Sequence, residues 1–428
     1  MSQNNYITDM LNIKDKNIFF KENFYSEEKI KGITHKIFEA YLSYNPKCCP
    51  KCGCIFNEKQ TFEKHGFITS DIKIQSVVGF NSILRLHKQR IKCHSCNKPF
   101  TLLTPIVNKG CFISNNTKLS IVRDLIKKRS EKDIAIDNNV SPNTVERVID
   151  SYYKNIKLYK HYLPRVLSFD EFKSVKSADG AMSFHICNGE TGQTIDIVED
   201  RKLTNLLKYF SYYTHRARAN VKLIVIDMYS PYISLIQKMF PNAQIIIDKF
   251  HLIQLISRSL NKTRIMIMKK DKTNYNKFKR YWKLLLKSRN ELDCSKWKKF
   301  RCFDNLMTDV DVVNYLVNSN NELKDTYQAY QDLLYALQRN DISVFKAALN
   351  NTYNNLSPYM KTSIKTLKSF TQYIENTFKY KYHNGFIEGN NNFIKVIKRI
   401  AFGFRSFIRF KSRIMICKGL IVPKRANA

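Results

Sequence analysis

Three carboxylates in this chain stand where phosphate chemistry could be done. VLSFD closes one apolar, strand-like run on Asp170, and VKLIVID closes another on Asp227. Strand ends are where an α/β sheet presents its functional side chains. The third, Glu388, is the one acidic residue between Lys379 and Ala428, a stretch with twelve Lys and Arg. It lies in HNGFIEGNNNFIK, among Gly385, Gly389 and four asparagines. On a helix, Glu388, Asn392, Lys395 and Arg399 fall on one stripe, a carboxylate followed by groups that can track a phosphate backbone. Phe386, Phe393, Ile394, Ile397 and Ile400 then line the buried side.

Carboxylates do not gather without a reason. Two like charges 4 Å apart repel by about 4 kcal/mol at an effective dielectric of 20, and such a cluster takes up protons unless cations neutralise it. Two Mg2+ or Mn2+ ions about 3.5–4 Å apart remove the penalty. They can activate a water or a 3′-hydroxyl and stabilise the leaving oxygen of an in-line phosphoryl displacement. Mg2+ prefers oxygen ligands and keeps several waters, so three carboxylates suffice. Taken singly, an Asp at a strand end is as readily a turn former; it is the three together, in order, that point to chemistry.

A second ligand set lies upstream. Cys49-Pro-Lys-Cys52 and Cys93-His-Ser-Cys96 are two C-x2-C knuckles separated by forty residues. Two-residue spacing lets both thiolates of a knuckle reach one tetrahedral ion, and two knuckles complete a closed, structural Zn2+ site. Between them, IKIQSVV and SILRLHKQRIKC alternate apolar and polar residues as ribbon strands do. Zinc compensates for the thin core of so short a segment. Cys48, Cys54 and Cys111 are left over, and Cys48 or Cys54 could replace Cys49 or Cys52.

Elements must position these groups, and the chain reads as multidomain α/β plus α. Residues 1–47 give little. Residues 48–113 form the expected zinc ribbon and 114–155 a helix-turn-helix. There, Ile134 and Ala135 face inward, and Asn138 and Asn139 suit the turn. Ser141 caps a second helix opened by Pro142, whose Val145, Val148 and Ile149 are buried. Asn143, Thr144 and Arg147 point outward, where a recognition helix meets base edges and phosphates. An ordinary helical hairpin fits the pattern equally well. From 160 to 254 the order is a strand with Asp170, a hairpin (AMSFHIC, NGETG, QTIDIVED), a helix, a strand with Asp227, a helix, and AQIIID ending on Asp248. That is the order of an RNase-H-like mixed sheet. Residues 255–375 read as an all-helical insertion, 376–415 as the final catalytic helix, and 416–428 as a basic tail.

Charge narrows the partners. Lys plus Arg number 72 against 36 Asp plus Glu, a net +36. Such a balance calls for a polyanion, and nucleic acid leads. No uncharged apolar run of eighteen residues and no signal-peptide layout favours a membrane. An odd count of eleven cysteines without a secretion signal fits free thiols and metal ligands in a reducing cytoplasm. Asn261 to Phe300 carries fourteen Lys and Arg against three acids, an imbalance that favours a DNA-contacting face over an ordinary solvated one.

With these residues in view, the chain resembles bacterial insertion-sequence transposases of the ISL-three group. The likeness runs through CPKCG with IKCHSC, the helix-turn-helix, LSFDEF, VIDMYSPYISLIQKMFPNAQIIIDKFHLIQ and NGFIEGNNNFIKVIKRIAFGFRSFIRFKSR. It implies an RNase-H-like catalytic domain with Asp170, Asp227 and Glu388 as an Asp-Asp-Glu triad. Asp248, Phe250 and His251 fall on the family's D-x-F-H motif, with Lys249 where Arg is more usual. The separation of 161 residues from Asp227 to Glu388 implies a helical insertion within the catalytic domain. The resemblance also implies two Mg2+ or Mn2+ per active site, and cutting of double-stranded DNA at the element's terminal inverted repeats. The freed 3′-hydroxyl would then attack target DNA. A homodimer on paired ends and a cytoplasmic, nucleoid-associated bacterial protein complete the expectation. His251 orients a strand or a phosphate, or packs beside the site.

Two other readings compete. One is a non-catalytic DNA-binding regulator that keeps the zinc ribbon and helix-turn-helix on a dead scaffold; three intact acidic positions argue against it. The other is a structure-specific nuclease, which would not need sequence-reading N-terminal modules.

Overall fold

The computed structural model describes residues 3–57, 62–153 and 160–419. The end of the expected basic tail, 420–428, lies outside them. The chain forms two compact units.

The first unit opens with helix α1 (Gln3–Met10) and strands β1 (Ile18–Ile30) and β2 (Ile33–Leu42), joined at Lys31-Gly32. Both turn residues have positive φ, 52° and 81°, as a two-residue type I′ hairpin requires. Strands β3 (Phe62–Val77), β4 (Phe80–Cys93) and β5 (Pro99–Thr101) follow. All five form one sheet of order β1-β2-β4-β3, with β5 on β4. β2 runs parallel to β4, and the other pairs are antiparallel. Alternating apolar positions of β2 and β4, among them Phe38, Ala40, Leu84 and Leu86, fill the core. The expected boundary at residue 47 therefore cuts through a single sheet. β1 and β2 carry most of their charged side chains on the outer face, which hid their kinship with β4.

Three helices follow: α2 (Asn115–Ile126), α3 (Glu131–Asp137) and α4 (Pro142–Tyr153). Ile121, Leu125, Ile134, Val145 and Ile149 are buried together. Asn139 takes the left-handed φ of 51° between α3 and α4, as its position in the turn predicts.

The second unit is built on the sheet of β6 (Val166–Lys173), β7 (Met182–Asn188), β8 (Thr194–Val198), β9 (Leu223–Ile226) and β10 (Gln244–Ile247). Its order is β10-β9-β6-β7-β8. β6, β7 and β8 are antiparallel, whereas β9 and β10 run parallel to β6. The hairpin read from AMSFHIC and QTIDIV is thus β7–β8. Helices α5 (Leu203–Ser211), α6 (His215–Asn220), α7 (Ser230–Met239) and α8 (Lys249–Lys270) connect and flank the strands. α9 (Tyr275–Arg280), α10 (Trp282–Leu285), α11 (Asp309–Asn318), α12 (Asn321–Arg339), α13 (Ile342–Asn350), α14 (Pro358–Ser369) and α15 (Thr371–Lys379) come next.

The expected insertion, 255–375, is helical but is not a separate body. One buried cluster runs from Leu163 through Phe169, Leu260 and Tyr330 to Ile374. The boundary placed at 254/255 falls inside α8. The side chains of Asn376 and Thr377 donate to the carbonyls of Ile245 (2.8 Å) and Ile247 (2.6 Å), so α15 covers the β10 edge that would otherwise be open for pairing.

Helix α16 (Gly385–Ile400) begins in the second unit and ends in the first, and α17 (Phe407–Cys417) belongs to the first. The expected final catalytic segment, 376–415, is therefore divided. Met415 and Ile416 join the core of α2–α4.

Candidate active site and cysteine cluster

Register brings three aspartates to one line. In the parallel pair β6/β9, Val166 lies opposite Leu223 and Ser168 opposite Val225. The same register, two residues on, sets Asp170 beside Asp227. In β9/β10, Ile226 lies opposite Ile247, so Asp227 stands beside Asp248. The preceding rung, Phe169, Ile226 and Ile247, is fully buried in the core. Side chains alternate along a strand, so the aspartates point the other way. Asp170 is not at the end of its strand, as read from sequence. β6 continues to Lys173 against β7, and only its parallel partner stops short.

The electrostatics are those of crowded acids. Burial, and then the charge of Asp227, push the Asp170 carboxyl up to about 7. Burial also raises Asp248, against the Asn384 N–H that donates to its Oδ1 at 3.2 Å. Burial alone would lower the His251 pKa; the Asp227 carboxylate outweighs it, and the pKa is raised. His251 Nε2 stands 2.8 Å from Asp227 Oδ1 and 3.9 Å from Asp248 Oδ2. The closer contact is an ion pair when His251 is protonated, and the buried Asp227 Oδ1 otherwise has no hydrogen-bond partner among the described residues. A buried carboxylate oxygen with no hydrogen-bond partner, beside a second carboxyl whose ionisation is held back by burial and by its neighbour's charge, offers the oxygen donors that a hard divalent cation takes.

Helix α16 reaches this rung through asparagines. Asn384 Nδ2 donates to Phe169 O at 3.1 Å. Asn391 Nδ2 donates to Asp170 Oδ2 at 2.7 Å, while its Oδ1 lies 2.8 Å from Nδ1 of the buried His185. An amide oxygen only accepts, so His185 carries its proton on Nδ1, and Nε2 accepts from Thr194 Oγ1 at 3.0 Å. Asn390 Nδ2 donates to Gly192 O at 2.7 Å. Gly192 has φ +70°, and a Cβ there would lie 2.8 Å from Phe386 Cβ, so the glycine lets α16 approach.

Glu388 lies between Asn384 and Asn391 on the same face of the helix, since positions three and four apart share a face. It is exposed. Among the described residues, the four cysteines are the group of three or more metal-ligand atoms within 4.8 Å of one another. Glu388 thus does not reach ligand distance of both aspartates. The expected stripe of Glu388, Asn392, Lys395 and Arg399 is exposed. Phe386, expected inside, is 54 % exposed, and Ile387 is buried in its place, with Ile394 and Ile397.

Cys49, Cys52, Cys93 and Cys96 do converge. Cys49 Sγ lies 3.9 Å from Cys96 Sγ, and Cys52 Sγ 3.7 Å from Cys93 Sγ. A zinc tetrahedron with bonds of about 2.3 Å has sulfur–sulfur edges of about 3.8 Å, so the cluster fits a zinc site. The Cys96 backbone N–H favours the Cys93 thiolate, drawing its pKa down to about 7. Cys48 and Cys54 lie outside the cluster; Cys54 instead accepts from Ser95 Oγ at 3.0 Å.

On α4, Asn143 and Arg147 are exposed as expected. Thr144 is not; it is 7 % exposed. Its Oγ1 sits 3.1 Å from Ser141 Oγ and accepts from Arg147 Nη2 at 3.2 Å. The threonine closes the start of the helix instead of facing outward.

Sequence reading noticed the asparagines around Glu388 but singled out neither Asn384 nor Asn391. Nor did it single out His185, Glu171, Arg201 or Tyr229 around the site. The density of Asn in a helical segment was the available signal for the first pair, because Asn is a poor interior helix former.

An α/β domain with aspartates side by side on neighbouring parallel strands is the class this geometry defines. Residues 167–414, more than half of the chain, match the transposase family of DDE, ISL3 type, and the chain belongs to that family. It is similar to a transposase for insertion sequence element IS1001 from Bordetella parapertussis, 28% identical over 197 residues, covering 44% of this chain and 45% of that protein. It is also similar to a Lactococcus lactis subsp. lactis protein named as an ATP-dependent protease, 42% identical over 113 residues, 26% of this chain and 36% of that protein. The chain thus spans less than half the length of either curated relative. No helix among the described residues is long and apolar enough to cross a membrane.

Proposed function

We propose that this chain is a DNA transposase that binds the ends of its insertion sequence and cuts and joins DNA strands at Asp170, Asp227 and Glu388. The observation that carries the reading is the Asp170–Asp227 rung, with the buried Asp227 Oδ1 lacking a hydrogen-bond partner among the described residues, inside the stretch that matches the transposase family. The strand order supports an RNase-H-like catalytic domain. Two Mg2+ or Mn2+ ions, when bound, would supply the charge that activates a water or a 3′-hydroxyl and steadies the leaving oxygen.

The chain's own residues do the rest. Asp170 and Asp227 would hold the cations. Asn391 fixes the Asp170 carboxylate by one oxygen, and the Glu171 N–H, at 2.7 Å, fixes the other. His251 stands against Asp227 at 2.8 Å and balances its charge when protonated. Glu388 would join from α16, on a stretch already held by Asn384 and Asn391. Zinc at the four cysteines holds the ends of the β3–β4 hairpin. Asn143 and Arg147 read DNA, and Lys395 and Arg399 contact its phosphates. Action on paired ends calls for a dimer on DNA.

The test is cleavage of DNA carrying the element's own ends by the full-length protein, with Mg2+ and with Mn2+. Asp227→Asn and Glu388→Gln should bind that DNA and leave it uncut. Normal cutting by Glu388→Gln removes it from the triad. Wild-type protein that binds the ends but cuts with neither metal is a regulator.

A further inference from the structure

Beside the aspartate rung lies a cavity of ≈250 Å³, lined by Glu171, Arg201, Asp227, Tyr229, His251 and Arg258, among others. Its floor is assembled before any ligand arrives. Arg201 Nη1 pairs with Glu171, whose Oε2 also accepts from Tyr232 Oη at 2.9 Å. That clamp holds the guanidinium carbon over the Tyr229 ring, 4.9 Å from its centroid. The two side chains together make a cationic, aromatic wall of the cavity. Along α8, His251, Gln254 and Arg258 recur at three- and four-residue spacing and so share one face. Arg258 is exposed and has no ion-pair partner among the described residues.

These features ask for two groups at once. A guanidinium beside an aromatic ring suits a base, and a free arginine at the mouth suits a phosphate. A space this size admits one base and not a base pair. Asp227 belongs to both the rung and the cavity wall, so the occupant is a neighbour of the group on which the carboxylates act.

We propose that this cavity receives a single unpaired nucleobase of the DNA strand, adjacent to the phosphate that is cut. The inference rests on the reading of the site as one that cuts DNA. Arg201 is a specificity-determining residue here, and the base lies where it touches both Arg201 and Tyr229, each of which lines the cavity. The consequence is that DNA is cut with one nucleotide drawn out of the helix, and the identity of that nucleotide contributes to where the cut falls.

The test uses full-length protein and a duplex of the element's end with 5-iodo-2′-deoxyuridine at successive positions. Irradiation follows, and crosslinked peptides are mapped by mass spectrometry. Crosslinking to Tyr229 is expected from one position only. It should survive in Tyr229→Phe and vanish in Tyr229→Ala. Arg201→Lys keeps the charge and loses the plane. It should still retard the DNA in a gel but cut it roughly ten- to a hundredfold more slowly, the scale of one lost base stack. Arg201→Lys that crosslinks and cuts like wild type shows a pocket for phosphate alone and overturns the proposal. Equal crosslinking from several positions also overturns it, as does none at Tyr229 while DNA is bound. Failure of the parent reading is scored separately, as wild-type protein that cuts with neither Mg2+ nor Mn2+. Crosslinking is read whether or not the DNA is cut.

Discussion

Asn391 donates its side-chain amide to Asp170 Oδ2 at 2.7 Å, and its oxygen lies 2.8 Å from the protonated Nδ1 of His185. One neutral side chain therefore ties the helix that bears Glu388 to the strand that bears Asp170. Seven residues earlier, Asn384 makes the equivalent tie to Asp248 and to the carbonyl of Phe169. Glu388 rides between two fixed points.

Removing the second point has a definite cost. Asn391→Ala leaves the buried His185 N–H without its acceptor, worth about 1–3 kcal/mol of stability. It also frees one Asp170 oxygen. Cutting should slow by roughly ten- to a hundredfold, the scale of a misplaced catalytic group, with DNA binding unchanged. Asn391→Asp should be worse, because it sets a third carboxylate against Asp170. Measured cleavage rates with a thermal melt separate the two effects. Wild-type rates in Asn391→Ala would show that Asp170 needs no such guide.

Acidity gives a second expectation. Asp170 is raised to about 7 from an ordinary value of about 3.9, and His251 is raised as well. For both groups the folded state binds the proton more tightly than the unfolded one. Their contribution is full below the unfolded pKa and is lost as pH rises through the folded pKa. For Asp170 that window runs from about pH 4 to about 7. Without divalent cations the protein should thus be less stable at pH 8 than at pH 5.5. Mg2+ competes with the proton at Asp170, so its stabilising effect should be larger at pH 8. Melting temperatures with and without Mg2+ at both pH values check this, and Asp170→Asn should flatten the difference. An equal Mg2+ shift at both pH values refutes it.

The cysteine cluster predicts a third result. Cys93→Ser removes one of four thiolates at the end of β4 and should lower bound zinc to a small fraction of one ion per chain. Structural zinc is worth about 10–16 kcal/mol of folding free energy, so the β3–β4 hairpin should become sensitive to protease. Cys54→Ser, outside the cluster, should retain its zinc. Elemental analysis of the two purified variants decides between four-sulfur ligation and a set that includes Cys54.

How much of this was legible beforehand follows from range. The knuckles are local in sequence, and spacing alone picked out the four cysteines that converge. The hairpin Met182–Val198 and the strands ending near Asp227 and Asp248 were legible because apolar runs and turns are local too. Asp170 was legible as a residue but misplaced, since strand length depends on which partner continues, β7 or β9. Phe386 was read as buried where Ile387 is, a slip in the first turn worth about 100° of helix face, while Ile394 and Ile397 are buried as expected. Thr144 went inward because its hydroxyl found Ser141 across one helical turn. Least legible was the partner of α17, for no pattern within Phe407–Cys417 names α2 and α4.

That partnership yields the last expectation. Met415 and Ile416 are buried at 3 % and 0 % exposure among Ile121, Val122, Leu125, Val145 and Ile149. Arg413 Nη2 donates to the carbonyls of Lys127 at 3.0 Å and Arg129 at 2.7 Å, which lie between α2 and α3. Arg409 pairs with Glu146 at 2.5 Å and Asp150 at 3.2 Å on α4. The expected DNA-reading helices therefore depend on a segment that follows Glu388 by about three helical turns and a loop. Ile416→Ala should cost about 2–5 kcal/mol, the usual range for emptying a buried aliphatic site. It should loosen α4 and weaken binding to the element's ends, although residue 416 is far in sequence from Asn143 and Arg147. Arg409→Ala unbalances two acids on α4 at a half-exposed site and should cost less, about 1 kcal/mol or under. Denaturant melts and gel retardation of both full-length variants give the comparison. If Ile416→Ala matches wild type in both, α2–α4 stand without α17.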